Sequence, residues 1–103
     1  MRIYVAGPMT GLPKYNLPAF AAATLELRAL GYDAVNPGRR GADPAKTWAD
    51  YMRDGLRDVL ACDAVALLDG WENSRGARLE VNVARGLAMP VEPLAHWLQA
   101  AAS

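Results

Sequence analysis

Apolar positions along the chain fall into two alternating patterns. Short apolar runs at 2–6, 32–35 and 64–68 have the length and β-branched content of buried strands. A weaker run at 90–94 contains Pro93, which suits only an edge strand or a strand end. Between these runs and after the last of them, apolar residues recur at three- and four-residue steps. This spacing predicts amphipathic helices at 17–30, 47–60, 74–88 and 94–100.

The resulting order, β-α-β-α-β-α-β-α, is typical of a parallel sheet covered on both faces by helices. Right-handed crossovers between neighbouring parallel strands then give a small doubly wound, three-layer α/β sandwich of Rossmann or flavodoxin type. We predict a parallel sheet of four to five strands within a single domain that spans residues 1–103. A sandwich this small leaves helix faces incompletely covered, so a homodimer is expected.

Composition and charge exclude several classes of function. Eleven basic and eleven acidic residues cancel, so nothing indicates a polymeric nucleic acid partner, and Arg39 and Arg40 are expected to be solvated. One cysteine, Cys62, predicts a buried structural thiol, and with a single histidine it provides neither a disulfide nor a metal site. We expect no cofactor. No apolar run approaches the ~18 residues of a membrane span, and no leader is recognisable, so a cytoplasmic protein without membrane contact is expected.

The loops that follow the first three predicted strands should meet at one edge of the sheet, where open parallel sheets bind ligands. The first of them, from Gly7 to Asn16, is longer than most strand-to-helix connections, and its glycines and prolines leave backbone amides free to face a ligand. Asn36 follows the second strand and Asp69 the third. Gly55, in the next helix, would let that helix approach the sheet or a ligand closely.

The third helix places one carboxylate near this edge. Ser74 is its predicted N-cap, and the same helix end is either an anion site, with Arg75 nearby, or an ordinary cap. Glu80 lies on the border of the apolar stripe, and its side chain leans back towards the helix start. The pattern allows an ionised carboxylate directed at a ligand or a salt-bridged surface residue, and we take the first as the hypothesis.

Three segments carry a resemblance to a known family. They are YVAGPMTGLPKYNLPAF near the N-terminus, VNPG after the second strand, and DAVALLDGWENSRGARLEVNVARGL from Asp63 to Leu87. Together they resemble short phage and bacterial domains related to the nucleoside 2-deoxyribosyltransferases and the deoxynucleoside 5′-monophosphate N-glycosidases. GPMTG and GWENSRGARLE are the most specific pieces.

The resemblance implies cleavage or transfer at the N-glycosidic bond of a nucleoside or nucleotide, with Glu80 as the nucleophile that forms a glycosyl ester. It favours Ser74 as a donor to a 5′-phosphate. The relatives place an acid on the preceding helix at a position that falls on Gly55, so Asp54 or Asp69 is the candidate to protonate the leaving base. Substrate contacts are expected from Gly7, Pro8, Met9, Thr10, Gly11, Asn36, Trp71, Ser74 and Gly76.

Two further hypotheses stay open at this point. The same pocket is compatible with a module that binds or senses a nucleotide without turning it over. A structural subunit of a larger assembly has only the small size and the weak fourth strand in its favour.

Overall fold

A computed structural model describes residues 1–41 and 43–102. Ala42, in the predicted loop 38–44, and Ser103, at the end of the predicted domain, lie outside the described residues. The four strands are β1 (Arg2–Ala6), β2 (Asp33–Val35), β3 (Ala64–Leu67) and β4 (Val91–Pro93). The four helices are α1 (Leu17–Ala29), α2 (Trp48–Leu60), α3 (Arg75–Gly86) and α4 (Leu94–Ala102). The predicted elements are confirmed to within two residues at their ends.

All strands pair in parallel, in the order β2-β1-β3-β4. This is the four-stranded form of the predicted doubly wound sheet, and the predicted fold class is confirmed. Chain connections leave β1 and β3 in opposite directions across the sheet, so a crevice opens between their carboxyl ends. β4 lies at the edge and ends at Pro93, as its sequence requires.

Helices cover both faces of the sheet, which gives two apolar cores. Ile3 and Val5 of β1 face one core, to which α1 and α4 contribute, and Tyr4 and Ala6 face the other, to which α2 and α3 contribute. Alternate side chains of a strand point to opposite faces, so both must be apolar when both faces are covered. Tyr4 is the one residue of this set with a hydroxyl, and it is almost fully buried.

Residues at the helix ends determine where the helices begin and end. Thr47 caps α2 with a capping box: its hydroxyl accepts from the Asp50 amide, and the Asp50 carboxylate accepts from the Thr47 amide. Beyond α1, Gly31 takes a left-handed conformation with φ of +93°, which is common for a glycine that follows a helix. Asn16 precedes α1 as predicted, but its amide caps no helix amide and donates instead to the Pro8 carbonyl at 3.0 Å.

Two loops predicted to be irregular contain short 3₁₀ turns, at Pro13–Asn16 and Pro37–Arg40. Cys62 is buried, as predicted, and burial raises the pKa of its thiol to about 11. Among the helices in the described ranges, none is long and apolar enough to cross a membrane.

Candidate active site

A cavity of about 510 Å³ opens at the carboxyl end of the sheet, on the side of the α2 and α3 layer. Its walls come from the loop after β1, the segment between β2 and α2, and the first turns of α2 and α3. The cavity brings together seven of the residues that the sequence singled out: Gly7, Met9, Thr10, Asp54, Ser74, Gly76 and Glu80. The carboxyl end of the sheet therefore carries a defined pocket with a carboxylate in its wall.

Two of the predicted residues after β3 do not line this cavity. Asp69 is exposed, and the chain turns away directly after it because Gly70 is left-handed, with φ of +85°. Trp71 packs on the core beneath α2 and α3, and the Arg85 guanidinium lies 5.6 Å from the centre of its ring. The structure therefore gives no support to Asp69 as a proton donor or to Trp71 as a substrate contact.

Three other predicted contacts also lie outside the cavity wall. The Asn36 side chain accepts a hydrogen bond from the Gly38 amide at 2.8 Å and so stabilises the turn after β2. Pro8 uses its carbonyl to hold Asn16. Gly11 is exposed, and its φ of +83° shows that it serves the geometry of the loop.

Glu80 is the buried carboxylate of the cavity, with 8% of its surface exposed. The Tyr4 hydroxyl donates a hydrogen bond to Glu80 Oε2 from the centre of β1. Gly55 of α2 lies directly against the same oxygen, where a Cβ atom would overlap it. The close approach predicted for Gly55 is confirmed, and it is the absence of a side chain there that makes room for the carboxylate.

Burial changes the protonation of this group. It raises the pKa of Glu80 to about 7, with a smaller contribution from Asp58 in the same direction, while the hydrogen bond from Tyr4 acts to lower it. The Tyr4 hydroxyl itself has a pKa well above its ordinary value, because it is buried beside a carboxylate. The expectation of an ionised Glu80 is therefore met only in part near neutral pH, where both protonation states are populated.

Asp54 lies in the cavity wall as an ion-paired carboxylate. Lys46 Nζ donates to its Oδ2 at 2.8 Å, and Arg57 Nη1 lies 3.3 Å from its Oδ1. The bond from Lys46 holds the pKa of Asp54 below its usual value. Asp54 is thus well placed to contact a ligand but carries no proton to give at neutral pH.

Ser74 begins α3 as predicted. Its hydroxyl oxygen accepts a hydrogen bond from the Ala77 amide at 3.2 Å, which leaves its hydrogen free to donate into the cavity. Arg75, expected beside it, stacks on the Trp48 ring instead, with 3.8 Å between the guanidinium carbon and the ring centre.

The positive charge in the cavity wall comes from Arg40 and Lys46. Arg39 and Arg40 are both exposed, as predicted, but Arg40 also forms a bidentate pair with Asp58 at 2.7 and 2.8 Å. Arg39 pairs with the same carboxylate at 3.1 and 3.2 Å. Asp58 thereby fixes the segment between β2 and α2 against the helix that carries Gly55.

Sequence reasoning missed Tyr4, Arg40 and Lys46. Tyr4 carried a usable signal, because a tyrosine in the middle of a buried strand needs a partner for its hydroxyl. Arg40 lies within the irregular segment 38–44, and Lys46 follows that segment. Nothing in its pattern indicates which way the two side chains point.

Comparison with solved structures finds the same fold in a 2-deoxyribosyltransferase from the psychrotolerant bacterium Bacillus psychrosaccharolyticus. The two superpose with a TM-score of 0.69 and 19% sequence identity, over 88% of this chain and 69% of that chain. At this identity the similarity establishes the fold, a parallel α/β sandwich of the 2-deoxyribosyltransferase type.

Sequence comparison gives the family. A search of curated proteins finds no match. The model of the family described as a domain of unknown function, DUF4406, matches residues 1–92, which includes β1 to β3, all of β4 but its last residue, and the whole cavity wall. On that match, the chain belongs to the DUF4406 family.

Proposed function

We propose that this protein cleaves or transfers the N-glycosidic bond of a nucleoside or nucleotide through a covalent glycosyl ester on Glu80. The observation that carries the proposal is the position of the Glu80 carboxylate. It is buried, it accepts a hydrogen bond from Tyr4, and it lines a cavity at the carboxyl end of the sheet. The fold shared with a 2-deoxyribosyltransferase supports the same reaction class.

The first half of the reaction uses the ionised form of Glu80. Tyr4 donates to Oε2, so Oε1 is the oxygen that attacks the anomeric carbon of the sugar. The C–O bond of the ester forms as the C–N bond breaks, and the bonding electron pair leaves with the base, which takes up a proton. Tyr4 stabilises the carboxylate and fixes its orientation during the attack.

The second half releases the sugar. Water, or a second base, attacks the anomeric carbon from the side that the first base vacated, and Glu80 departs again as a carboxylate. Two successive inversions give overall retention of configuration. The hydrogen bond from Tyr4 assists this step too, because it stabilises the negative charge that returns to Glu80.

A 5′-phosphate on the substrate fits the chemistry of the cavity wall. The hydroxyl hydrogen of Ser74 is available to donate at the N-terminus of α3, and the Arg40 guanidinium lines the same cavity. We therefore propose nucleotides as the preferred substrates, ahead of free nucleosides.

The test measures the release of free base from a panel of deoxynucleosides and their 5′-monophosphates. Chromatography monitors the base, and the wild type is compared with Glu80→Gln. Glutamine keeps the volume and accepts from Tyr4 but has no nucleophilic charge, so base release should fall by at least ~10³-fold without loss of the fold. Glu72→Gln is the matched control, because Glu72 is exposed and lies outside the cavity wall.

Undiminished base release by Glu80→Gln would remove Glu80 from the mechanism. An equal fall in Glu72→Gln would show that the assay responds to general damage and not to the loss of a nucleophile.

One observation favours a second candidate function, a module that binds a nucleotide without turnover. Glu80 is partly protonated near neutral pH, and the neighbouring Asp54 has no proton to give. Under this alternative, nucleotides bind to the wild type and to Glu80→Gln with similar affinity, and neither protein releases base.

A further inference from the structure

We propose that Lys46, held in place by Asp54, is the group that protonates the departing base. This inference rests on the function proposed above for Glu80. It concerns a step that every N-glycosidic cleavage of an uncharged purine or pyrimidine must solve, because the base departs with the bonding electron pair and needs a proton or a positive charge beside it.

The Lys46 ammonium is held in place and is also accessible to a ligand. Its Nζ lies 2.8 Å from Asp54 Oδ2 and 5.6 Å from the centre of the Tyr51 ring, while its side chain keeps 32% of its surface exposed. One N–H bond points at Asp54, which leaves two for a ligand in the cavity that Lys46 lines. Arg57 holds the other oxygen of Asp54, at 3.3 Å, so the carboxylate that positions the ammonium is itself restrained.

The ion pair and the nucleophile belong to adjoining parts of one wall. Asp54 immediately precedes Gly55 in α2, and Gly55 lies against the Glu80 carboxylate. Successive helical positions differ by about 100° around the axis. The Asp54 side chain therefore points to one side of Glu80 and not directly at it. A sugar attacked by Glu80 would carry its base along this wall, where Lys46 and Asp54 both line the cavity.

The other proton-bearing groups in the described cavity wall are already engaged or unsuited. Tyr4 donates to Glu80, and the Tyr51 hydroxyl donates to the Asp43 carbonyl at 2.8 Å. Arg40 is bound to Asp58, and a guanidinium does not release its proton in proteins. In the proposed function the Ser74 hydroxyl contacts the phosphate, so among the tyrosines of the wall Tyr15 is the remaining competitor; its side chain is largely exposed, and it is included in the test.

The proton balance closes over the two half-reactions. As the C–N bond breaks, a proton passes from Lys46 Nζ to the nitrogen that receives the electron pair. The hydrogen bond to Asp54 raises the pKa of Lys46, so the neutral amine left beside that carboxylate readily takes a proton back. When water attacks the glycosyl ester, its proton passes to that amine, which restores the ammonium while Glu80 returns to a carboxylate. One group thus serves first as acid and then as base, as in retaining glycosidases.

The decisive comparison uses two kinds of leaving group on the same deoxyribosyl sugar. A purine must be protonated as it leaves, whereas a pyridinium ring such as nicotinamide leaves as a neutral molecule and needs no proton. With Lys46→Met, kcat/KM for the purine substrate should fall about 100-fold or more, the usual contribution of a general acid, while kcat/KM for the pyridinium substrate stays within about fivefold. Lys14→Met is the matched control, because Lys14 lies outside the cavity wall.

Equal losses on the two substrates would overturn the proposal and leave Lys46 with a structural role only. A selective loss on the purine in Tyr15→Phe, with none in Lys46→Met, would move the role to Tyr15. The inference is separable from the proposed function: base release that persists in Glu80→Gln refutes the glycosyl ester, whereas a Lys46→Met variant that keeps its purine activity refutes only the proton donor.

Discussion

At the scale of single residues, the site depends on one buried carboxylate and the two groups that touch it. Tyr4 supplies a hydrogen bond from the sheet, and Gly55 supplies space from α2. A nucleophile in such a position is partly desolvated, which makes the carboxylate reactive but also raises its pKa towards 7. The proposed reaction should therefore depend on pH through the surroundings of Glu80.

We predict that kcat/KM rises with pH through an apparent pKa of about 7, levels off, and falls only above the ordinary pKa of a lysine, where Lys46 loses its proton. The sign follows from the mechanism, because only the ionised carboxylate attacks and its fraction increases as the pH passes its pKa. In Tyr4→Phe the hydrogen bond that favours ionisation is lost, so this rise should move to higher pH and the plateau should be lower. Initial rates measured from acid to alkaline pH check this, and a rise at the same pH in both proteins would contradict the assigned role of Tyr4.

At the scale of elements, the N-terminus of α3 has a structural task and, in the proposed function, a binding task as well. Ser74 caps the helix through Ala77 and faces the cavity, while Arg75 is drawn away to Trp48. An aspartate caps a helix as well as a serine does, so exchanging the two changes the charge at this point while the helix end is preserved.

We predict that Ser74→Asp shifts substrate preference from 5′-monophosphates to free nucleosides, because a carboxylate repels the phosphate and accepts from a 5′-hydroxyl. The ratio of kcat/KM for a nucleotide to that for its nucleoside should fall by about tenfold or more, which corresponds to ~1.4 kcal/mol. Thermal melting should be nearly unchanged, since the cap is retained. An unchanged ratio would show that no phosphate is recognised at Ser74.

The sequence predicts the positions of the strands and helices but not the orientation of every side chain in the site. Strand and helix positions follow from hydrophobic spacing, because each buried face must be apolar, and the boundaries of β1 and α2 came out as expected. Glu80 was found from its place on the border of the α3 stripe, and Gly55 from its lack of a side chain. Arg40 and Lys46 were missed because their orientation depends on ion pairs with Asp58 and Asp54 across the fold, which no local pattern encodes.

At the scale of the whole molecule, burying Glu80 has a cost that depends on pH. Its pKa in the folded protein is about 7, compared with 4.5 when exposed, so between these values the folded state binds more protons than the unfolded state. Stability therefore falls as the pH rises through this window, by up to about 3 kcal/mol in total.

Glu80→Gln removes this titration, and we predict that the variant becomes more stable than the wild type as the pH rises from about 4.5 to above 7. The difference in unfolding free energy should change by ~3 kcal/mol in favour of the variant over that window. Urea denaturation at a series of pH values measures it. A difference that is independent of pH would mean that Glu80 titrates normally and is not desolvated in the folded protein.

The homodimer expected from the small size of the sandwich stays a prediction, which sedimentation at several protein concentrations can check. It does not alter the proposed chemistry, because every group assigned a role belongs to one chain.

The central claim, a covalent bond between Glu80 and the sugar, is tested most directly by intact-protein mass spectrometry. A 2-deoxy-2-fluoro nucleoside or nucleotide slows the second half-reaction, so the glycosyl enzyme should accumulate. We predict a mass increase equal to one fluorinated sugar unit, located on the peptide that contains Glu80 and absent from Glu80→Gln. Base release from the same substrate with no adduct, or with the sugar attached to a different residue, would contradict the account.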